Sequence, residues 1–231
     1  MWSHGWRSWT VSLALLGCVL TMRKAVAASP ELVVCWGNSG DIPAVALLEP
    51  GREPRVLLPG GSLDGGTLAW YLGQLGKLQL AEVLMPTWAP FPRGAASLAK
   101  TCSIRQLTVV NNPQSRLNWA DLRKTLTEAG TALVNRFPTG ERYWRITVGD
   151  WFVNFQQLKR AGTFRLSFSI GIEGGGSPVY YFEQRVTGVF VVGREGRLEP
   201  ILEVPKSNRR GVVRIRLEEP SDRVIPVDIK S

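Results

Sequence analysis

Phe164-Arg165-Leu166-Ser167-Phe168-Ser169-Ile170-Gly171-Ile172 alternates apolar with small or polar residues over nine positions. A period of two places the apolar set on one face, so the stretch reads as a half-buried β-strand. Gly174-Gly175-Gly176 follows as a turn. The run Val179 to Val192 is then rich in aromatic and β-branched residues, with Gly188 as a place to bulge or bend. Pro200 to Val204, Gly211 to Leu217 and Arg223 to Ile229 supply three further strands, and Tyr143 to Val148 supplies one upstream. Strands separated by short turns, without helical spacing between them, predict an antiparallel sandwich or small barrel.

Upstream the pattern is mixed. Leu32 to Trp36 is a strand, closed by the turn cluster Gly37 to Asp41. Val45 to Leu48 and Arg55 to Leu58 flank Glu49-Pro50-Gly51-Arg52-Glu53-Pro54 as a hairpin, and no repeat at propeller spacing follows. Gly60 to Gly66 reads as a flexible joint. Leu68, Leu72, Leu75, Leu78 and Val83 predict a helix over Thr67 to Met85, ended by Pro86. Ile104 to Val110 is a clean strand. Asn118 is placed to cap a helix over Trp119 to Ala129, with Asp121 in its first turn and Gly130 as its left-handed stop. The expected class is α+β, mainly β. Residues 1–27 form a leader, 28–115 a mixed N-terminal domain, and 116–231 a β-rich C-terminal domain opened by a short helix.

The leader reads as an export signal. Arg7 is basic, no acid precedes Glu31, Val11 to Leu20 is a short apolar core, and Ala25-Val26-Ala27 is an A-x-A cleavage site. Leu15-Leu16-Gly17-Cys18 offers a second route, with Cys18 acylated as a lipid anchor. Both routes send the protein out of the cytoplasm, to the periplasm, the medium or a membrane surface. No second apolar span follows.

Export shapes the chemistry. The single histidine, His4, lies in the leader. A processed chain has no imidazole, so Ser-His-Asp and Cys-His catalysis and histidine-ligated zinc are excluded. Cys35 and Cys102 remain, a pair that an oxidising compartment joins as one disulfide, the alternative being two buried thiols. No metal site and no cofactor are expected. The net charge is +9, falling to +6 without the leader, which favours acidic partners. No basic run or nucleic-acid motif points to DNA or RNA.

Several motifs bear on chemistry. The Gly60–Gly66 and Gly171–Gly176 stretches lack phosphate-loop spacing and read as turns. Ser97-Leu98-Ala99-Lys100 has the S-x-x-K spacing of a serine nucleophile and lysine base, without S-D-N or K-T-G. Glu183 is the best-placed acid for a two-carboxylate glycoside hydrolase, with Asp150 and Glu141 behind it. The most suggestive patch is aromatic and basic: Arg142, Tyr143, Trp144 and Arg145, then Trp151, Phe152 and Phe155, then Lys159 and Arg160. Rings beside guanidinium groups stack on sugars or grip extended peptides, or else pack as ordinary core. Candidate binding residues are Arg142, Trp144, Arg145, Trp151, Arg214 and Arg216. The edges of Phe164–Ile172 and Val179–Val192 are candidates to accept a partner strand.

Leu117 to Gly130 resembles the short "aspartate-leucine, alanine-glycine" helix of the periplasmic chaperones that assemble the flagellar P-ring. Glu141 to Val148 is similar to the strand after it, and Gly211 to Leu217 to the family's closing strand; Arg194 to Leu198 departs from its R-G-x-x-L pattern. The resemblance implies an exported, non-enzymatic assembly factor for an appendage or envelope protein. A glycan-binding module with Trp144 and Trp151 as platforms, and a hydrolase using Glu183, are the alternatives.

Overall fold

The computed structural model describes residues 29–37, 42–87, 90–110, 119–136, 143–148, 150–160, 163–172, 179–183, 189–192, 198–202, 210–216 and 223–227. Residues 1–28, with His4 and Cys18, lie outside them. So do Asn118, Glu141, Arg142, the Gly174–Gly176 turn and Gly188.

Among the described residues the chain is mainly β with three helices, an α+β fold as expected. In order it runs β1 (Glu31–Trp36), β2 (Ala44–Leu48), β3 (Arg55–Leu58), α1 (Ser62–Gln74), β4 (Gln79–Leu80), β5 (Glu82–Pro86), α2 (Phe91–Ala99), β6 (Ser103–Ile104), β7 (Gln106–Val110), α3 (Ala120–Glu128) and β8 (Ala132–Arg136). Then come β9 (Tyr143–Val148), β10 (Trp151–Arg160), β11 (Thr163–Ile172), β12 (Val179–Glu183), β13 (Val189–Val192), β14 (Leu198–Leu202), β15 (Gly211–Arg216) and β16 (Arg223–Val227).

Eight strands make the first sheet, in the order β16-β15-β1-β2-β3-β5-β7-β8. From β3 to β8 the strands are parallel neighbours, each pair joined by a helix. Right-handed crossovers running in one direction put all three helices on one face. Accordingly α1 packs against α2, and α2 against α3. β1 and β2 are buried along their whole length, the mark of strands covered on both faces. Six strands make a second sheet, an open antiparallel meander in the order β14-β13-β12-β11-β10-β9. Val153, Phe155, Ile170 and Tyr180 of this sheet belong to the same apolar cluster as the core of the first. The described strands β9 to β14 of the C-terminal part thus follow one another as a meander, while β15 and β16 hydrogen-bond into the first sheet. β8 does the same beside β7. Sheet membership therefore cuts across the division at 115/116.

Local differences have physical reasons. The helix read over Thr67–Met85 spans Ser62–Gln74. Gly76, at φ +66°, ends it in a left-handed turn. The apolar residues beyond it, which mimic helical spacing, enter β4 and β5. Val179–Val192 divides into the hairpin β12–β13. Ile104–Val110 divides at Arg105 between β6 and β7. The cap position of α3 is Trp119, which makes no side-chain cap bond; Asp121 is in its first turn.

The disulfide does not form: Cys35 and Cys102 are both buried free thiols. Topology explains it. Cys35 lies near the C-terminal end of β1, and β1 runs parallel to β3, β5 and β7. Cys102 precedes β6 and β7, at the opposite end of those strands. Two cysteines at opposite ends of a sheet cannot approach to the roughly 6 Å between Cα atoms that a bridge needs.

Candidate functional site

Open α/β sheets bind ligands at the carboxyl ends of their parallel strands, where helix N-termini point. In this chain that position is filled from within. Asp64, three residues after the cap residue Gly61, is 1% exposed. Its Oδ1 accepts the Gly37 N–H at 2.6 Å and its Oδ2 accepts the Gly61 N–H at 3.0 Å. The helix dipole and its free N–H groups thus meet the chain's own carboxylate, which also ties β1 to α1. Gly94 closes the space beside it: a Cβ there would lie 2.2 Å from the Pro59 carbonyl oxygen. At Gly65 likewise an added Cβ would lie 2.5 Å from the Gly94 carbonyl oxygen. Beneath, burial and then the charge of Asp64 push the Cys35 thiol well above its usual pKa. Such a thiol is a packing group, not a nucleophile.

The S-x-x-K pair falls on α2. Ser97 Oγ lies 3.1 Å from Ser62 Oγ of α1, so its hydrogen bond joins the two helices, while Lys100 is exposed at the helix's C-terminal end. Among the described residues no three His, Cys, Asp or Glu side chains gather closely enough to hold a metal ion, and no helix is long and apolar enough to cross a membrane.

The aromatic-basic patch divides between the two faces of the second sheet. Trp151, at 3% exposure, is buried with Val153 and Phe155. Its ring is core, which removes it as a sugar platform. The polar face carries Arg145 and Thr147 of β9 with Phe152 and Asn154 of β10. The Arg145 guanidinium sits 4.1 Å from the centre of the Phe152 ring, a cation–π contact across neighbouring strands. Asn154 Nδ2 donates to Ser169 Oγ of β11 at 3.1 Å. Thr147 and Gln156 are exposed on the same strands. Trp144 pairs with Phe155 in the register; its side chain, like all of Arg142, lies outside the described set.

Of the candidate acids, Glu183 and Asp150 do not come together; Glu141 lies outside the described residues. Glu183 is opposite Ser167, which is opposite Gln156, whereas Asp150 immediately precedes Trp151 at the other end of β10. Six strand residues between these levels amount to about 20 Å, well beyond the 5–10 Å of a glycosidase pair.

The edges proposed for strand addition are occupied: β11 lies between β10 and β12, and β12 between β11 and β13. Among the described strands the outermost are β9 and β14 in this sheet, β8 and β16 in the first.

Arg214 and Arg216 of β15 face Glu31 of β1. Arg214 Nη2 donates to Glu31 Oε1 at 2.6 Å, and Arg216 Nε reaches the same oxygen at 3.4 Å. Burial alone would lower the Arg214 pKa, but hydrogen bonding and charge from Glu31, with Tyr71 of α1, hold it above its usual value. These arginines clamp the sheet. Sequence reasoning missed Glu31, Tyr71 and Asp64. Only Asp64 left a local signal, its position three residues into a Gly-rich helix start.

Compared with known proteins, the chain matches no family model and no curated protein.

Proposed function

We propose that this chain is a non-catalytic exported binding protein that holds an extended segment of another envelope protein along β9. The observation that carries the reading is the position of β9. It is the last strand of its sheet, so one row of its backbone groups faces no neighbouring strand among those described. Such a row accepts a partner strand by main-chain hydrogen bonding. Arg145, exposed on β9 over Phe152, adds selection for an acidic residue in that segment. The carboxyl edge of the first sheet, which binds ligands in other α/β proteins, is filled by Asp64, Gly65 and Gly94, which favours binding over turnover.

In this reading the leader delivers the chain to the periplasm or the medium, or tethers it through Cys18. No cofactor, metal or nucleic acid enters. The resemblance to P-ring chaperones makes flagellar subunits the first partners to test, within a wider role in envelope or appendage assembly. The glycan-binding alternative keeps only Phe152 as a described ring on the polar face, and Arg145 already lies over it.

The test is capture from an envelope extract with the tagged chain, comparing wild type with Arg145→Glu. Capture of one or a few exported proteins by the wild type, at least fivefold reduced by the substitution, supports the reading. Equal capture by both, or capture of none, overturns it.

A further inference from the structure

The outward side of α1 carries no charge. Its one carboxylate, Asp64, is buried, while Leu63 and Trp70 are 47% and 43% exposed. In a chain of net charge +9 this is a neutral, apolar helix face. Two glycines lie on it. A Cβ at Gly66 would meet nothing within 4 Å, and one at Gly73 only the Leu78 Cδ2 atom at 3.6 Å. The fold therefore does not need glycine at either position, in contrast to Gly65. Mid-helix glycine weakens a helix relative to alanine. What it offers in return is close approach by something from outside.

The spacing identifies that visitor. Leu63, Gly66, Trp70 and Gly73 stand three, four and three residues apart. They form one stripe spanning about 80° of the helix surface. The stripe is complementary to itself when reversed: in an antiparallel pair, residue 63 meets 73 and residue 66 meets 70. Each large side chain then faces a glycine. We propose that α1 pairs with α1 of a second copy of this chain about a two-fold axis, Trp70 of each copy seated on Gly66 of the other. The contact is isologous, the same patch used twice. Because the face is uncharged, two cationic copies meet there without placing like charges together. Leu75 and Leu78, 40% and 39% exposed just past the helix, extend the apolar surface. This pairing is independent of docking along β9.

Sedimentation velocity of the purified full chain over a wide concentration range tests it. A monomer–dimer equilibrium is expected. Trp70→Gln should raise the dissociation constant at least tenfold with the circular dichroism spectrum unchanged. Gly66→Ala should do the same while raising the melting temperature of the dilute monomer, two movements that a purely structural glycine would not combine. A chain monomeric at every concentration overturns the proposal, as does a dimer indifferent to both substitutions. A chain that is monomeric in buffer but floats with phosphatidylglycerol vesicles, and loses that on Trp70→Gln, overturns it in favour of a membrane surface.

Discussion

Arg214 grips Glu31 with two nitrogens, Nε to Oε2 at 2.7 Å and Nη2 to Oε1 at 2.6 Å. The pair joins the first described strand to one more than 180 residues later, in the register Glu31↔Arg216 and Val33↔Arg214. Glu31 is 8% exposed, so its carboxylate depends on these partners for the solvation it has lost. Arg214→Ala leaves only the longer contact with Arg216. The expected loss in denaturant unfolding is about 1–3 kcal/mol, below that of a fully buried pair because Arg214 reaches solvent. Arg214→Lys should recover part of it, since an ammonium keeps the charge and loses the fork.

Glycines of opposite sign sit a short distance apart. Gly94→Ala forces a Cβ onto the Pro59 and Gly60 carbonyl oxygens at 2.2 and 2.3 Å. Backbone must shift, and a loss of about 1–3 kcal/mol is expected. Gly66→Ala adds its Cβ to open space in mid-helix and should stabilise the monomer by up to about 1 kcal/mol. Thermal melts of the two variants at low concentration check the reversal of sign.

The thiols predict a defined alkaline behaviour. Burial pushes Cys102 up to about 11, and Cys35 rises well above its usual value. A thiol whose folded pKa exceeds its unfolded value of about 8.5 binds its proton more tightly when folded. Its contribution is complete below about pH 8.5 and is lost as pH rises through the folded value, about 11 for Cys102. Tyr71, raised chiefly by burial, acts in the same direction above pH 10. Stability should therefore decline from about pH 9 upward. At pH 8 a thiol reagent should label Cys35 and Cys102 only in denaturant, and reductant should leave the melting temperature unchanged. Fast labelling of the folded chain, or a reductant-sensitive melt, contradicts the buried free thiols.

Much of the architecture was legible where a single physical pattern dominates. The alternation from Phe164 to Ile172 is β11, and the turn around Gly51, at φ +69°, joins β2 to β3 as a hairpin. Legibility failed where two periods coincide. Leu75, Leu78 and Val83 continue the helical spacing of α1, although the chain has already turned at Gly76. It failed again for long-range pairing. Nothing local in Gly211–Arg216 says that it joins β1 rather than its sequence neighbours; the signal is Arg214 meeting Glu31 across the fold. The cysteine pairing failed for the same reason, since composition counts thiols and only topology says which end of a sheet each occupies.

Trp151 and Arg145 lie in one aromatic-basic stretch of sequence, and their surroundings predict opposite phenotypes. Trp151 is 3% exposed within the core of the second sheet. Removing its ring leaves a cavity, so Trp151→Ala should cost about 3–5 kcal/mol and show as loss of folded protein. Arg145 is exposed, and its described aromatic contact is the Phe152 ring at 4.1 Å. Arg145→Ala should change stability by about 1 kcal/mol or less, the size of an exposed cation–π contact. Its effect should fall on partner capture. Measuring unfolding and capture on both variants separates the roles. A stable Trp151→Ala chain that has lost capture would return the tryptophan to the binding surface, because a core ring cannot be removed without a cost in folding.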